Sequence, residues 1–228
     1  MALPCTCEIE HPPRLVVVTG GPGAGKTALL EVAQRLLCRH VIVLPEAASI
    51  LWRGQFPRHS TLPGRKAAQR AIVRLQLEMQ RMTIEEGHAA LILCDRGTLD
   101  GLAYWPGTEA EYFDDTGTTR QRELARYATV IHLQPPGPEH GYLPSPLRIE
   151  TAAEAAALDE RIGQAWSGHP RRFVVESDDD FVRKLHRALD LIAAEVPGCC
   201  RAALVSGPRE VGPRGVRDPG TPGTRGNS

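Results

Sequence analysis

The sequence predicts an α/β fold in which a five-stranded, parallel, doubly wound sheet is covered by helices on both faces. Short apolar runs alternate with helical stretches along the chain, and a glycine-rich turn joins the first run to the first helical stretch. The runs are continuously apolar, which is typical of strands buried on both faces, and strand–helix repeats are typical of parallel sheets. The predicted strands are Leu15–Thr19, Val41–Leu44, Ala90–Cys94, Thr129–Leu133 and Arg172–Val175. The predicted helices are Lys26–His40, Arg65–Glu86, Arg120–Ala128, Ala152–Ser167 and Asp179–Glu195.

Length and composition favour one cytoplasmic domain. A chain of 228 residues can bury a substantial core. The formal net charge of zero gives no global field that would attract nucleic acid or acidic membranes. No apolar run approaches the length of a membrane span, and Met1 to Pro13 lacks the basic and apolar regions of a secretory signal. We therefore expect a protein without nucleic-acid partners or a transmembrane segment.

The ends of the chain differ in composition from its middle. Residues 199–228 are rich in proline, glycine and arginine and contain little that could build a core, so we expect a disordered tail there. Residues 1–13 are expected to form a flexible lead. The folded domain would then span residues 14–198.

Six cysteines leave two interpretations open. Cys38 is expected on the first helix and Cys94 in a buried strand, where free thiols act as small apolar groups. The pairs Cys5-x-Cys7 and Cys199-Cys200 would make a metal or redox site if the two ends of the chain met. Their spacing matches no standard zinc pattern, which favours ordinary reduced thiols.

The glycine-rich turn Gly20–Thr27 reads Gly-Gly-Pro-Gly-Ala-Gly-Lys-Thr. It fits the P-loop pattern G-x-x-x-x-G-K-[ST] between a strand and a helix, whose backbone N–H groups bind phosphates. An ordinary glycine turn would not explain the Lys-Thr pair. Lys26 would reach the β- and γ-phosphates, and the Thr27 hydroxyl would hold Mg²⁺. We expect a nucleoside triphosphate to bind through Gly21, Gly23, Ala24, Gly25, Lys26, Thr27 and Ala28.

Two further strand ends carry charged residues, and ligands of such sheets bind at these ends. Asp95 follows four apolar residues, as in a Walker B strand, and would hold Mg²⁺. Arg96 would donate to a phosphoryl or carboxylate group, although a surface Asp–Arg pair is the alternative. Glu46 follows the second strand, where a carboxylate can accept a proton from an attacking hydroxyl, or bind a substrate's hydroxyls or the metal. The alternative for Glu46 is a helix N-terminal acid that interacts with the helix dipole.

Other segments around the expected cleft are open to two interpretations. Asp100 and Tyr104 would line an acceptor pocket with Trp52, Arg53 and Phe56, or the aromatic residues would belong to the core. The long Pro/Gly-rich segment after the fourth strand has the length of a lid. Lid arginines stabilise charge on a transferred phosphoryl group, and Arg148 is the better candidate there. Arg161, like Asp159, is equally well explained as solvated helix charge.

Together these residues resemble the NadR-type AAA-like ATPase domain family, over about residues 14–198. That family includes the kinase domain of ribosylnicotinamide kinases and the TRPL translocation defect protein. The resemblance implies a P-loop NTPase fold of the nucleoside/nucleotide-kinase type with a lid segment, and ATP or GTP with Mg²⁺. Such kinases carry an acid after strand two and an Asp-Arg or Glu-Arg pair after strand three. The resemblance is carried by Gly20–Thr27, Pro45–Ala48, Cys94–Gly97 with Asp100, the Arg148/Glu150 segment and Trp166-x-x-His169-Pro170.

The sequence predicts a small-molecule kinase with Glu46, Asp95, Arg96 and Arg148 as catalytic residues and Thr27 and Asp95 as metal ligands. The acceptor would be a nucleoside-like or other small molecule. A nucleotide-dependent binding or regulatory module is the alternative, because the family also contains regulators. A Ras-like GTPase is not supported, since the sole asparagine, Asn227, leaves no Asn-Lys-x-Asp loop. An oligomeric AAA+ motor would need a helical lid domain that is not evident.

Overall fold

The computed structural model describes residues 5–136, 152–177 and 180–200. The described residues form five strands: β1 (Arg14–Thr19), β2 (Val41–Leu44), β3 (Leu91–Asp95), β4 (Thr129–Leu133) and β5 (Arg172–Val175). They also form eight helices: α1 (Lys26–Leu36), α2 (Ala47–Arg53), α3 (Leu62–Glu85), α4 (Asp100–Tyr104), α5 (Glu109–Thr116), α6 (Arg120–Arg126), α7 (Ala152–Ala165) and α8 (Phe181–Glu195). None of these helices is long and apolar enough to cross a membrane.

The five strands form one parallel sheet in the order β2-β3-β1-β4-β5. Alternate residues of the inner strands pack on opposite faces, as Val16 and Val17 do in β1. One face is covered by α1 and α8, and the other by α4 and α7. The predicted α/β fold with a doubly wound parallel sheet is confirmed. The run in β5 is less buried than predicted, because β5 is an edge strand and leaves Phe173 and Val174 partly exposed.

Helix α1 is shorter than predicted. It ends at Leu36, because Leu37 adopts extended backbone angles and buries its side chain in the core. The prediction that Cys38 lies on the first helix is therefore wrong. The chain instead turns into β2, and the His40 carbonyl accepts hydrogen bonds from the backbone N–H groups of Ala90 and Leu91. This turn carries Cys38 and His40 to the edge of the sheet where the strands begin.

Two helices begin at capping signals that the sequence analysis did not use. Helix α3 starts at Leu62, three residues before the predicted start, because the Thr61 hydroxyl accepts from the Gly64 N–H and proline is tolerated in a first turn. Helix α5 was not predicted. It begins at a capping box in which the Thr108 and Glu111 side chains each accept from the other's backbone N–H.

Candidate functional site

The P-loop has the backbone that its glycines were expected to provide. Gly20, Gly23 and Gly25 have φ angles of 132°, 79° and 95°, a region that glycine enters at little cost. A Cβ on Gly20 would lie 2.0 Å from the Leu133 carbonyl oxygen, so no other residue fits there. The loop follows β1 directly and opens into α1. The N-terminal dipole of α1 therefore acts on the concave side of the loop.

Lys26 is the first residue of α1 and is buried against the loop. Its Nζ donates to the Gly20 and Gly21 carbonyl oxygens at 2.8 and 2.9 Å. Burial, with a further contribution from the Arg96 charge, lowers the pKa of Lys26 to about 7. A phosphate chain in the loop would favour the ammonium form, because an opposite charge stabilises it. Thr27 is exposed and borders the cleft, where its hydroxyl can meet a ligand.

Two anchors of the P-loop come from distant helices. On α7, Asp159 Oδ1 accepts from the Gly21 N–H at 2.6 Å and from His132 Nε2 at 2.9 Å. The tautomer of His132 follows from its other nitrogen, Nδ1, which accepts from Arg172. On α8, Lys184 Nζ donates to the Ala24 carbonyl oxygen at 2.9 Å. Burial lowers the pKa of Lys184 to about 8.

Asp95, at the end of β3, has the environment of a cation ligand. Its Oδ1 is buried and has no hydrogen-bond partner among the described residues. Burial, opposed by the Lys26 charge and reinforced by Glu46, raises the pKa of Asp95 to about 6. A hard cation prefers oxygen ligands and would hold this carboxylate ionised. The residues present therefore fit Mg²⁺, with Asp95 on the strand end and Thr27 on the loop.

Arg96 and Glu46 form an ion pair across the cleft. Arg96 Nε donates to Glu46 Oε1 at 2.7 Å, and Ser49 Oγ donates to the second carboxylate oxygen. Burial works against ionisation, but Arg96 and Ser49 lower the pKa of Glu46 below its ordinary value. Arg96 has a φ of 73°, an uncommon angle for a residue with a side chain. The guanidinium contacts the Glu46 carboxylate and lies 5.7 Å from the Tyr104 ring centre. Its position therefore comes with backbone strain at Arg96.

Asp100 organises the turn between β3 and α4. One carboxylate oxygen accepts from the Gly97 N–H at 2.9 Å and from Trp166 Nε1 at 3.1 Å, and the other accepts from Thr19 Oγ1. The Asp100 side chain is 3% exposed. Sequence reasoning expected Asp100 to line an acceptor pocket, and it does border the cleft, but its oxygens are engaged. The same bonds explain Trp166 in the Trp-x-x-His-Pro motif as a structural residue.

A cleft of about 650 Å³ joins the P-loop to a partly aromatic wall. This volume suits a small molecule. Trp52, Ile72 and Tyr104 line the wall, together with the buried amide of Gln76. Arg53 and Phe56 do not line it, and Phe56 packs edge-on against Trp52 at 6.1 Å between ring centres. Of the predicted site residues, the cleft is bordered by Gly23, Lys26, Thr27, Glu46, Asp95 and Arg96.

Arg148, Arg161 and His169 were also named in the sequence analysis. Arg148 falls outside the described residues, so its role in a lid stays a prediction. Arg161 is exposed and does not border the cleft, in contrast to the buried Asp159 two positions before it. His169 bonds the Tyr127 carbonyl oxygen at 2.9 Å near the start of β5. Its turn lies at the amino ends of the strands, opposite the P-loop.

Comparisons with known proteins identify the family of this chain. Residues 15–184 match the model of a family described as an AAA domain. The chain belongs to this family. The resemblance to NadR-type AAA-like P-loop proteins, inferred from the motifs, is confirmed by this match and by the solved NadR structures described next. A comparison with curated proteins finds no match.

Three solved structures share the fold. NadR in complex with NR has a TM-score of 0.61 and 16% identity, covering 82% of this chain and 52% of NadR. NadR in complex with NAD and AMP-PNP has a TM-score of 0.58 and 13% identity, with coverages of 81% and 50%. Thymidylate kinase from Candida albicans has a TM-score of 0.50 and 14% identity, with coverages of 80% and 92%. The chain spans about half the length of NadR. At these identities the likeness shows the fold, and the prediction of a P-loop fold of the nucleoside/nucleotide-kinase type is confirmed.

Proposed function

We propose that this protein is a small-molecule kinase that transfers the γ-phosphate of ATP to a hydroxyl of a nucleoside-like acceptor. One observation carries the proposal: the P-loop opens into a cleft that is large enough for a small acceptor, and Glu46, Asp95 and Arg96 line this cleft. Transfer of a phosphoryl group relies on positioning and electrostatics, and these are the properties that such a cleft can supply. GTP is the alternative donor.

The donor half of the cleft would bind the triphosphate. Backbone N–H groups of the P-loop and the start of α1 would contact the phosphates, and Lys26 would exchange its carbonyl partners for phosphate oxygens. Thr27 and Asp95 would hold Mg²⁺, which neutralises phosphate charge when bound. The unpaired Oδ1 of Asp95 supports this assignment.

The acceptor half would hold and activate a hydroxyl. Glu46 stays ionised at neutral pH, because Arg96 and Ser49 lower its pKa, and a carboxylate at the cleft can accept a hydroxyl proton. Asp95 is the alternative base. Arg96 would stabilise charge on the transferred group from its fixed position. The rings of Trp52 and Tyr104 suit a planar acceptor group.

The relatives support a kinase and leave its acceptor open. One NadR structure holds NR, another holds NAD and AMP-PNP, and the third structure is a thymidylate kinase. Because only about half of NadR is covered, its activities are not transferred to this chain directly.

The proposal has three further parts. The segment around Arg148 would close over the cleft, the domain would span residues 14–198, and the protein would be cytoplasmic.

The test is acceptor-dependent turnover. The full chain is incubated with Mg·ATP or Mg·GTP and a panel of nucleosides, ribosides and sugars, while ADP or GDP release and nucleotide affinity are measured. We expect one acceptor class to raise the rate above the level without acceptor. Saturable nucleotide binding without turnover on any acceptor would instead support a nucleotide-dependent regulatory module. Absence of nucleotide binding would overturn both functions.

A further inference from the structure

Seven cysteine and histidine side chains converge at the edge of the sheet opposite the cleft. They come from three separate segments: the residues before β1, the turn between α1 and β2, and the residues after α8. We call this set the Cys/His cluster. Its members are Cys5, Cys7, His11, Cys38, His40, Cys199 and Cys200.

Three of the seven, all cysteines, surround the imidazole nitrogen of a fourth. The Sγ atoms of Cys7 and Cys199 each lie 3.3 Å from His11 Nε2, and the Sγ atom of Cys200 lies 3.9 Å from it. All four donor atoms lie within 4.8 Å of one another. An imidazole nitrogen makes one hydrogen bond, as donor or acceptor, so three sulfurs around it exceed what hydrogen bonding requires.

The remaining members form a second group that shares Cys200. Cys5, Cys38, His40 and Cys200 also place their donor atoms within 4.8 Å of one another. Here the contact is between Cys200 Sγ and His40 Nδ1 at 3.4 Å. Seven donors with one shared thiolate provide two complete sets of three sulfurs and one nitrogen. Cys200, the shared residue, is 1% exposed and belongs to the core.

We propose that the Cys/His cluster binds two zinc ions, each held by three thiolates and one imidazole, with Cys200 bridging them. Tetrahedral zinc sites use this donor set. With Zn–S near 2.3 Å and Zn–N near 2.0–2.1 Å, the tetrahedron places nitrogen and sulfur about 3.5 Å apart. The observed separations of 3.3, 3.3, 3.4 and 3.9 Å lie around that value. On binding, the five thiols release their protons to solvent.

The role of these ions is structural. Every position of each tetrahedron is filled by a protein donor, so no site is open to a substrate. The ions join the segment before β1, the α1–β2 turn and the residues after α8. They therefore cross-link Cys5, near the start of the described residues, to Cys200 at their end. All five cysteines are free thiols in this structure, and disulfides would leave both histidines without a role.

The first experiment measures metal in the full chain. The protein is purified without chelator, its zinc is measured by mass spectrometry, and the reduced, zinc-free protein is then titrated with Co²⁺. We expect two zinc ions per chain and visible bands of tetrahedral cobalt–thiolate that reach their end point at two equivalents. An end point at one equivalent of Co²⁺ would overturn the proposal that Cys200 bridges two ions. No metal, or a mass that shows disulfides among these cysteines, would overturn the zinc site.

Variants locate the ions. Cys38→Ser and Cys199→Ser should each lower the content to one ion, and the double variant should hold none. The sixth cysteine provides the control: Cys94→Ala, in β3 and outside the cluster, should keep two ions. Unchanged metal content in the double variant would overturn the assignment. Since the wild-type cobalt titration does not depend on any variant's folding, it decides the proposal even if a variant unfolds.

Discussion

The two edges of the sheet bring different kinds of groups together. The edge with the carboxyl ends of the strands carries Lys26, Asp95 and the Arg96–Glu46 pair, and Asp95 Oδ1 has no hydrogen-bond partner among the described residues. The edge with the amino ends carries, besides the ion pairs of Glu195, thiols and imidazoles that converge on one another. In the two proposals made above, the first edge would bind a nucleotide that exchanges with solvent, and the second would hold structural zinc ions.

Helix direction explains part of this division. Helix α1 begins at the carboxyl edge, and its positive end faces the P-loop, where an anion would bind. Helices α1 and α8 end at the other edge, at Leu36 and Glu195, so their negative ends lie next to Cys38 and Cys199. The helix dipoles therefore favour an anion at the carboxyl edge and a cation at the amino edge.

The largest effect is expected for Lys26→Ala. Loss of the one ammonium in the loop should reduce acceptor-dependent turnover by about 10²-fold or more, the usual cost of removing one preorganised donor to developing charge. Turnover and nucleotide affinity are measured beside zinc content. Zinc content should not change, since the Cys/His cluster lies at the other edge.

Lys66→Ala is the matched control for Lys26→Ala. Lys66 lies on α3, pairs with Glu111 at 3.3 Å and does not border the cleft. Its replacement should leave turnover unchanged. Equal activity of the two variants would contradict the P-loop assignment, and loss of zinc in Lys26→Ala would show that the two edges are not independent.

The strands and the strand-end residues could be predicted because local sequence determines them. Burial on both faces makes a strand continuously apolar, and parallel strands bring their carboxyl ends to one edge. Glu46, Asp95 and Arg96 therefore meet in the cleft, as the sequence indicated, although their catalytic roles stay predictions. The pairing of Arg96 with Glu46 was not predicted, since it depends on a left-handed backbone angle at Arg96.

The distant anchors and the Cys/His cluster could not be predicted in the same way. Asp159 and Lys184 contact loop residues that lie 138 and 160 positions earlier in the chain, and only the packing of α7 and α8 brings them there. The cluster draws its donors from three segments, so no local zinc spacing exists. The end of α1 at Leu36, which places Cys38 beside Cys200, depends on burial of Leu37.

An intermediate effect is expected for Asp159→Ala, which removes an anchor from the carboxyl edge alone. The substitution leaves the Gly21 N–H and the His132 Nε2 hydrogen without an acceptor, and each unsatisfied buried group costs about 1–3 kcal/mol. We expect the free energy of unfolding in urea to fall by about 2 kcal/mol. Glu160→Ala, at the exposed neighbouring position, should change it little. Equal stability of the two variants would mean that α7 does not anchor the loop.

The smallest effect, of opposite sign, is expected for Asp95→Asn. Because the pKa of Asp95 is about 6 in the folded protein and 3.8 in the unfolded chain, the folded state binds the extra proton between these values. Stability is therefore lost as the pH rises from about 4 to 6. Asparagine removes this penalty, so the variant should be more stable at pH 7.5 by about 1 kcal/mol, or about 2–4 °C in Tm. We expect a smaller stability difference than the whole pKa shift of Asp95 would give, because the charges of Asp95 and Lys26 influence each other.

Thermal unfolding in buffer without Mg²⁺ measures this difference for Asp95→Asn, with Asp114→Asn on the exposed surface of α5 as control. The gap between variant and wild type should shrink as the pH is lowered towards 4, because the Asp95 carboxyl of the folded wild type is then protonated and carries no buried charge. It should also narrow when Mg²⁺ is added at pH 7.5, because a cation on Asp95 stabilises the wild type alone. A gap that is independent of pH and of Mg²⁺ would remove Asp95 from the metal site. In that case the carboxyl edge would bind no cation through Asp95, and the two edges would differ less than proposed.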